Sequence, residues 1–214
     1  MTVPGAAPAW ADGAAFCAAL LRERQTILPK RLGAPGPDAA QLAALLGAAA
    51  HAPDHGCLRP WRFVCIPAGA RAALGEAFAQ ALRERDAAAT PSQQQDAREK
   101  AGRAPLLLML VADGGRGDPA IGWDERLVSA GCAVQNLLLM ATALGFGSAL
   151  TSGKALQSQA LRALFGLAEA ERALCFVSVG TVLSRKALRE RPAAQDYVGT
   201  LVPGQGVVPG WEGV

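Results

Sequence analysis

The run Pro105-Leu-Leu-Leu-Met-Leu-Val-Ala112 constrains this chain more than any other stretch. It is apolar throughout, so an extended strand there has no side that water can face, and both of its faces must be buried. At 214 residues the chain is long enough to build a full core around it. Hydrophobic residues make up 51% of the chain but aromatics only 5%, so alanine and leucine must fill most of that core, which favours helices.

The elements follow from local signals. Residues 1–11, rich in Pro, Ala and Gly, are expected to be loosely ordered. Asp12 is placed to cap a helix reaching Arg24, with Phe16, Leu20 and Leu21 on one face. Asp38 is placed to cap a second helix ending near His51, with Leu42, Leu45 and Leu46 as its buried stripe. A strand is predicted over 61–66, a helix over 68–88, a polar interruption at Thr90-Pro-Ser-Gln-Gln-Gln-Asp96, then a short helix reaching about Gly102, and the buried strand over 105–112. The longest helix is predicted from Asp124 to Leu144, closed by Gly145. Its small-residue middle, Val128-Ser-Ala-Gly-Cys-Ala-Val-Gln-Asn136, would let another helix approach closely. A strand over 146–150, a helix over 155–167 and a strand over 174–182 complete the pattern, and a C-terminal extension fills 185–214. Helices first, then strands separated by helices, indicate an α+β fold in one domain, 1–214, with a central sheet.

Charge and cysteine usage narrow the classes. The formal charge of +3 is small and the Lys and Arg residues are spread along the chain, so no nucleic-acid surface is indicated. Five scattered cysteines without a CxxC pair read as buried thiols in a reducing compartment, not a disulfide framework. No signal-peptide pattern opens the chain. The longest apolar run, Leu137 to Leu144, is well short of the ~20 residues that span a bilayer. A soluble, cytoplasmic protein without membrane contact is expected.

Both histidines lie in His51-Ala-Pro-Asp-His-Gly-Cys-Leu-Arg-Pro-Trp61. Pro53 ends the preceding helix and Pro60 holds the chain extended as it enters the strand, which makes a short, stiff, polar loop. His51 and His55 at i and i+4 would suit a metal only on a continuous helix, and Pro53 breaks it. Structural histidines, or hydrogen bonds to a ligand, are the other readings, and no metal site is expected. There is no G-x-S-x-G elbow, no P-loop and no Rossmann fingerprint. Arg24, Gln25 and Thr26 bring a guanidinium, an amide and a hydroxyl to one helix end, a set that suits a phosphate or is simply a solvated helix end. Arg191, in Arg189-Glu-Arg-Pro192, is a second possible phosphate ligand, with a solvated basic tail as its alternative.

Four stretches taken in order resemble the nitroreductase family of FMN-dependent oxidoreductases. They are Arg24-Gln-Thr26, where the family carries Arg-Arg-Ser or Arg-Arg-Thr; Ala52-Pro-Asp-His55 through Pro60-Trp61, like the A-P-D-H…P-W signature of the compact branch; Ser129-Ala-Gly-Cys-Ala-Val-Gln-Asn-Leu-Leu-Leu139, like the central dimer helix; and Ala143-Leu-Gly-Phe-Gly-Ser-Ala-Leu-Thr-Ser-Gly153. The resemblance covers about residues 14–183. It implies a mixed or antiparallel sheet flanked by helices, an intertwined homodimer, and two FMN sites at its interface. Hydride would pass from NADH or NADPH through FMN to a nitroaromatic, quinone or flavin acceptor, with the flavin as the chemical agent and no side chain strictly catalytic. The same fold also hosts dehalogenases, flavin-fragmenting enzymes and non-enzymatic flavin binders. Carried over by position, Arg24 and Thr26 contact the FMN phosphate, with Gln25 standing where a second arginine is usual and Arg191 compensating. His51 and His55 match flavin-contacting positions supplied from the opposite subunit, and Leu150, Thr151 and Ser152 match the flavin-contacting turn. Lys30 or Arg31 would supply positive charge to the reduced flavin. Residues 89–121 and the tail would shape the acceptor pocket.

Overall fold

The computed structural model describes residues 12–187 and 189–211. The expected loose order of residues 1–11 lies outside them. Among the described residues, six α-helices and seven strands follow one another as α1 (Gly13–Glu23), β1 (Leu32–Gly33), α2 (Ala39–Ala49), β2 (Trp61–Cys65), α3 (Arg71–Arg85), α4 (Pro91–Glu99), β3 (Leu106–Asp113), α5 (Trp123–Ala143), β4 (Gly147–Thr151), α6 (Gln159–Phe165), β5 (Glu171–Val182), β6 (Gly199–Val202) and β7 (Gly206–Pro209).

β5 organises the main sheet. One of its edges pairs with β3, which in turn pairs with β2; the other pairs with β4 over residues 176–180 and with β1 at 181–182. Every one of these pairings is antiparallel, so of the mixed or antiparallel sheet expected, the antiparallel form is found. The parallel element is an isolated bridge between Thr26 and Ser148.

β3 sends alternate side chains to two layers, as an all-apolar strand must. Leu108 and Leu110 pack with Leu45 of α2 and with Ala130, Leu137 and Ala141 of α5. Leu107, Met109 and Val111 pack on the other face with Leu74 of α3, Leu161 of α6 and Phe176. α5 has the length and mean hydropathy (1.2) to cross a bilayer, yet Ala130, Ala133, Leu137 and Ala141 are buried within this core.

Local signals set most boundaries. Asp38 and Thr90 close full capping boxes with Gln41 and Gln93, which fixes the starts of α2 and α4. Gly145 takes φ +82 just beyond α5, the left-handed conformation that ends helices. Gly147 matters for a different reason: a Cβ there would lie within 3.0 Å of side-chain atoms of Val182, Leu32 and Ile27. Its absence lets the 24–27 segment approach β4.

Several features depart from the sequence reading. Of the five cysteines expected to be buried, Cys17, Cys57 and Cys65 are exposed. The Asp12 side chain makes no capping hydrogen bond, and α1 buries none of its residues, with Phe16 66% exposed. The helix expected over 68–88 is a short 3-10 turn at Ala68–Ala70 followed by α3, which stops at Arg85. The polar stretch 90–96 is no interruption but opens α4, because Thr90 caps it and Pro91 fits its first position. The helix expected over 155–167 is a 3-10 turn at Lys154–Gln157 and then α6, which Ser158 caps and which stops at Phe165. The tail holds an antiparallel hairpin, β6–β7, turned at Pro203-Gly204 with Gly204 at φ +81. Its signal was present in the Pro-Gly pair between two β-prone runs. Finally, Arg126 is buried inside α5 at 1% exposure. Its guanidinium donates to the carbonyls of Asp113, Arg116, Asp118 and Ile121, binding the glycine-rich loop to the first turns of the helix.

Candidate functional site

Arg24 stands at the C-terminal cap of α1, where its backbone N–H donates to Leu20 O at 3.0 Å before the chain turns extended. Thr26 then bridges to Ser148, and the Ile27 N–H donates to Ser148 O at 2.9 Å. This lays the Arg24–Thr26 segment along the start of β4. Gln25 is half-buried between them. From the tail, Arg191 returns to the same place, its Nη2 3.5 Å from Arg24 O. Burial first, and then the like charge of Arg191, make the Arg24 guanidinium a weaker base than a free arginine. Neither guanidinium is paired with a carboxylate among the described residues. Two such groups near each other, with Thr26 two residues along the same segment, suit a dianion such as a phosphate monoester.

β4 continues from this cluster into Leu150 and Thr151, which pair with Val177 and Phe176, and ends just before Ser152. Thr151 and Ser152 border a cavity of about 610 Å³ whose far wall is built from α3, α4 and the turn after α4. Of the stretches expected to shape an acceptor pocket, 89–121 contributes Gln93, Asp96, Ala97, Lys100, Arg103 and Leu107 to this cavity, and the tail adds none of the described lining. Pro29 also lines it, whereas its neighbours Lys30 and Arg31 do not.

The histidines are elsewhere. His51 follows α2 and is exposed, its N–H donating to Ala48 O at 3.2 Å. The loop after it is tight: Gly56, Cys57 and Arg59 all have positive φ, and Asp54 Oδ2 accepts the Arg59 N–H at 2.6 Å. Trp61 fastens the loop to α5 through Nε1–H donation to Ser129 Oγ at 3.0 Å. His55 Nδ1 donates to Glu125 Oε2 at 2.6 Å in the first turn of α5, which leaves Nε2 as the ring's remaining polar atom.

Within one chain these two groups of residues are far apart. Thr26 lies by Ser148, which pairs with Val179, whereas α5 starts where Trp123 covers Gly114, beside the Asp113–Glu171 pair. Val179 and Glu171 are eight residues apart on β5, about 26 Å at the rise of a strand. The structure therefore brings together Arg24, Thr26 and Arg191 beside β4, with Leu150, Thr151 and Ser152 further along that strand, and places His51 and His55 at the other end of the sheet.

The nitroreductase family model matches residues 21–181, most of the chain and the whole of this arrangement apart from the tail. The chain belongs to the nitroreductase family. It is 38% identical over 165 residues to a protein of Haemophilus influenzae provisionally named an NAD(P)H nitroreductase, covering 75% of this chain and 86% of that one. The fold matches a nitroreductase-like family protein from Bacillus cereus with a TM-score of 0.74 at 18% identity, over 95% of this chain and all 100% of that one. It also matches NfnB, described as an FMN and NADPH-dependent nitroreductase from Sphigopyxis sp., with a TM-score of 0.66 at 18% identity, over 85% and 96% of the two chains. Family membership makes this chain an oxidoreductase, and β6–β7 lies in an extension beyond the family match.

Proposed function

We propose that this nitroreductase-family chain is an FMN-dependent reductase that draws its electrons from NADH or NADPH. The observation that carries the reading is the convergence of Arg24 and Arg191, without a carboxylate partner, beside Thr26 and the start of β4. FMN differs from riboflavin by a phosphate, and this donor set fits that group. Gln25, where the family carries a second arginine, removes one charge, and Arg191 restores it from the far end of the chain.

Bound FMN would supply a two-electron carrier between the nicotinamide and a nitroaromatic, quinone or flavin acceptor. The chain's own residues have simpler tasks. Arg24, Thr26 and Arg191 hold the phosphate. The backbone and side chains of Leu150, Thr151 and Ser152 border the ring and shield one side of it from water. His55, oriented by Glu125, presents Nε2 as a hydrogen-bonding group.

The separation of His55 from Arg24 supports a homodimer in which each site takes Arg24 from one subunit and His51 and His55 from the other. The surface supports it too. Phe16 and Leu21 of α1 and Val128 of α5 are exposed at 66%, 50% and 64%, apolar side chains that a second subunit would cover. α5, with its small exposed Gly131, would pack against its copy.

The test is the visible spectrum of the purified protein before and after anaerobic NADH or NADPH. Flavin bands that bleach are expected. Bands that survive both nicotinamides would indicate another flavin chemistry. Absence of flavin, even after incubation with FMN, would remove the assignment of Arg24 and Thr26.

A further inference from the structure

The cavity bordered by Thr151 and Ser152 has an apolar floor that includes Phe78, Leu107 and Phe176. Its rim is basic. Arg85 comes from the end of α3, Lys100 and Arg103 from the turn after α4, and Lys154 from the turn after β4, against a single lining carboxylate, Asp96. None of the four cations is in an ion pair among the described residues. Other arginines of the same two helices are tied down. Arg71 donates to the carbonyls of Ile66 and Ala101, Arg83 to Gln80 and Gln94, and Arg98 to Glu76. The chain thus anchors the cations that serve its own packing and leaves unpaired those around the hollow.

A basic helix face is ordinarily just solvated. These four cations differ in arising from three separate stretches and sharing one concavity. Their potentials add there, and the low-dielectric floor keeps the field from being lost in water. An aromatic body would lie on Phe78 and Phe176, with its substituents reaching the rim.

We propose that this cavity is the acceptor pocket and that it selects flat, electron-poor acceptors carrying an anionic substituent, a carboxylate above all, read by Lys100, Arg103, Arg85 and Lys154. This rests on the flavin-reductase reading, which puts the flavin edge at Thr151 and Ser152. The turnover concerned is two-electron: NADPH, a proton and a nitro group give NADP+, water and a nitroso group.

The test compares matched pairs on the purified holoprotein. Benzoate and benzamide are titrated by calorimetry, and kcat/KM is measured for 4-nitrobenzoate and 4-nitrobenzamide. The carboxylate member should be favoured roughly tenfold, about one charge-assisted hydrogen bond. Its advantage should shrink in high salt and in the double variant Lys100→Gln/Arg103→Gln, whose exposed side chains permit substitution without unfolding. Level binding of benzoate and benzamide, or a preference that the double variant retains, would overturn the proposal. So would a double variant that raises KM for NADPH alone while benzoate and benzamide bind equally, because the cations would then read the cofactor's 2′-phosphate. If the protein carries no bleachable flavin, the reductase reading fails, and the calorimetric comparison still decides whether the cavity prefers the anion.

Discussion

Arg126 donates to the carbonyl of Asp113 at 3.1 Å, tying the end of β3 to the start of α5 across the loop between them. Three further carbonyls, of Arg116, Asp118 and Ile121, share the same guanidinium at 2.7–2.8 Å. A buried guanidinium satisfied by backbone dipoles is a loop clamp, and the turn it holds carries Glu125, the partner of His55.

Arg126→Met should therefore destabilise the protein by about 3 kcal/mol, because it strands several carbonyls at once. Arg126→Lys should recover little, since an ammonium cannot span the fork that a guanidinium spans. Urea unfolding gives the energy, and amide hydrogen exchange over residues 113–121 shows whether the loop loosens.

Arg24→Ala should weaken FMN binding at least tenfold and leave riboflavin binding nearly unchanged, as expected when a charge-assisted bond to phosphate is lost. Fluorescence titration with the two flavins separates the cases. Equal losses would show that Arg24 supports the fold of the site and does not hold the phosphate.

Subunit mixing tests the shared site. A heterodimer of Arg24→Ala and His55→Ala chains would concentrate both lesions in one site and leave the other intact. It should bind about half the flavin of the wild type, whereas either homodimer should bind little. If both groups served the same chain, every site of the heterodimer would carry one lesion and the rescue would vanish.

Arg62 donates to both Glu171 carboxylate oxygens, at 2.7 and 3.1 Å, and this bond above all holds the carboxyl below its usual range, with the Ala168 N–H adding to it. The folded state then takes up the proton less readily than the unfolded chain. The pair's stabilisation is present above the ordinary glutamate value near ~4.3 and is lost as pH falls through the lower folded value. Arg62 is 43% exposed, so solvent screening limits the effect to about 1 kcal/mol. Glu171→Gln should cost that much at pH 7 and much less at pH 3, as read from urea midpoints at both pH values.

The sequence by itself determined most of the elements and their order. All-apolar 105–112 dictated a doubly buried strand, Asp38 marked a helix start, and Pro53 and Gly145 marked helix ends, whereas the Thr90 cap was hidden in a stretch polar enough to read as an interruption. These depend on interactions within a few residues, which periodicity and caps report directly. Arg24 and Thr26 were visible as a pair for the same reason, being neighbours in the chain. Tertiary structure decided what depends on distant residues. It brought Arg191 to Arg24, buried Arg126 under four carbonyls, and gathered Lys100, Arg103 and Lys154 around one hollow. It also left the apolar side of α1 uncovered, although its spacing matched that of a buried helix. A pattern of apolar residues shows which face of a helix avoids water; only the packed chain shows whether anything in the same molecule arrives to cover it.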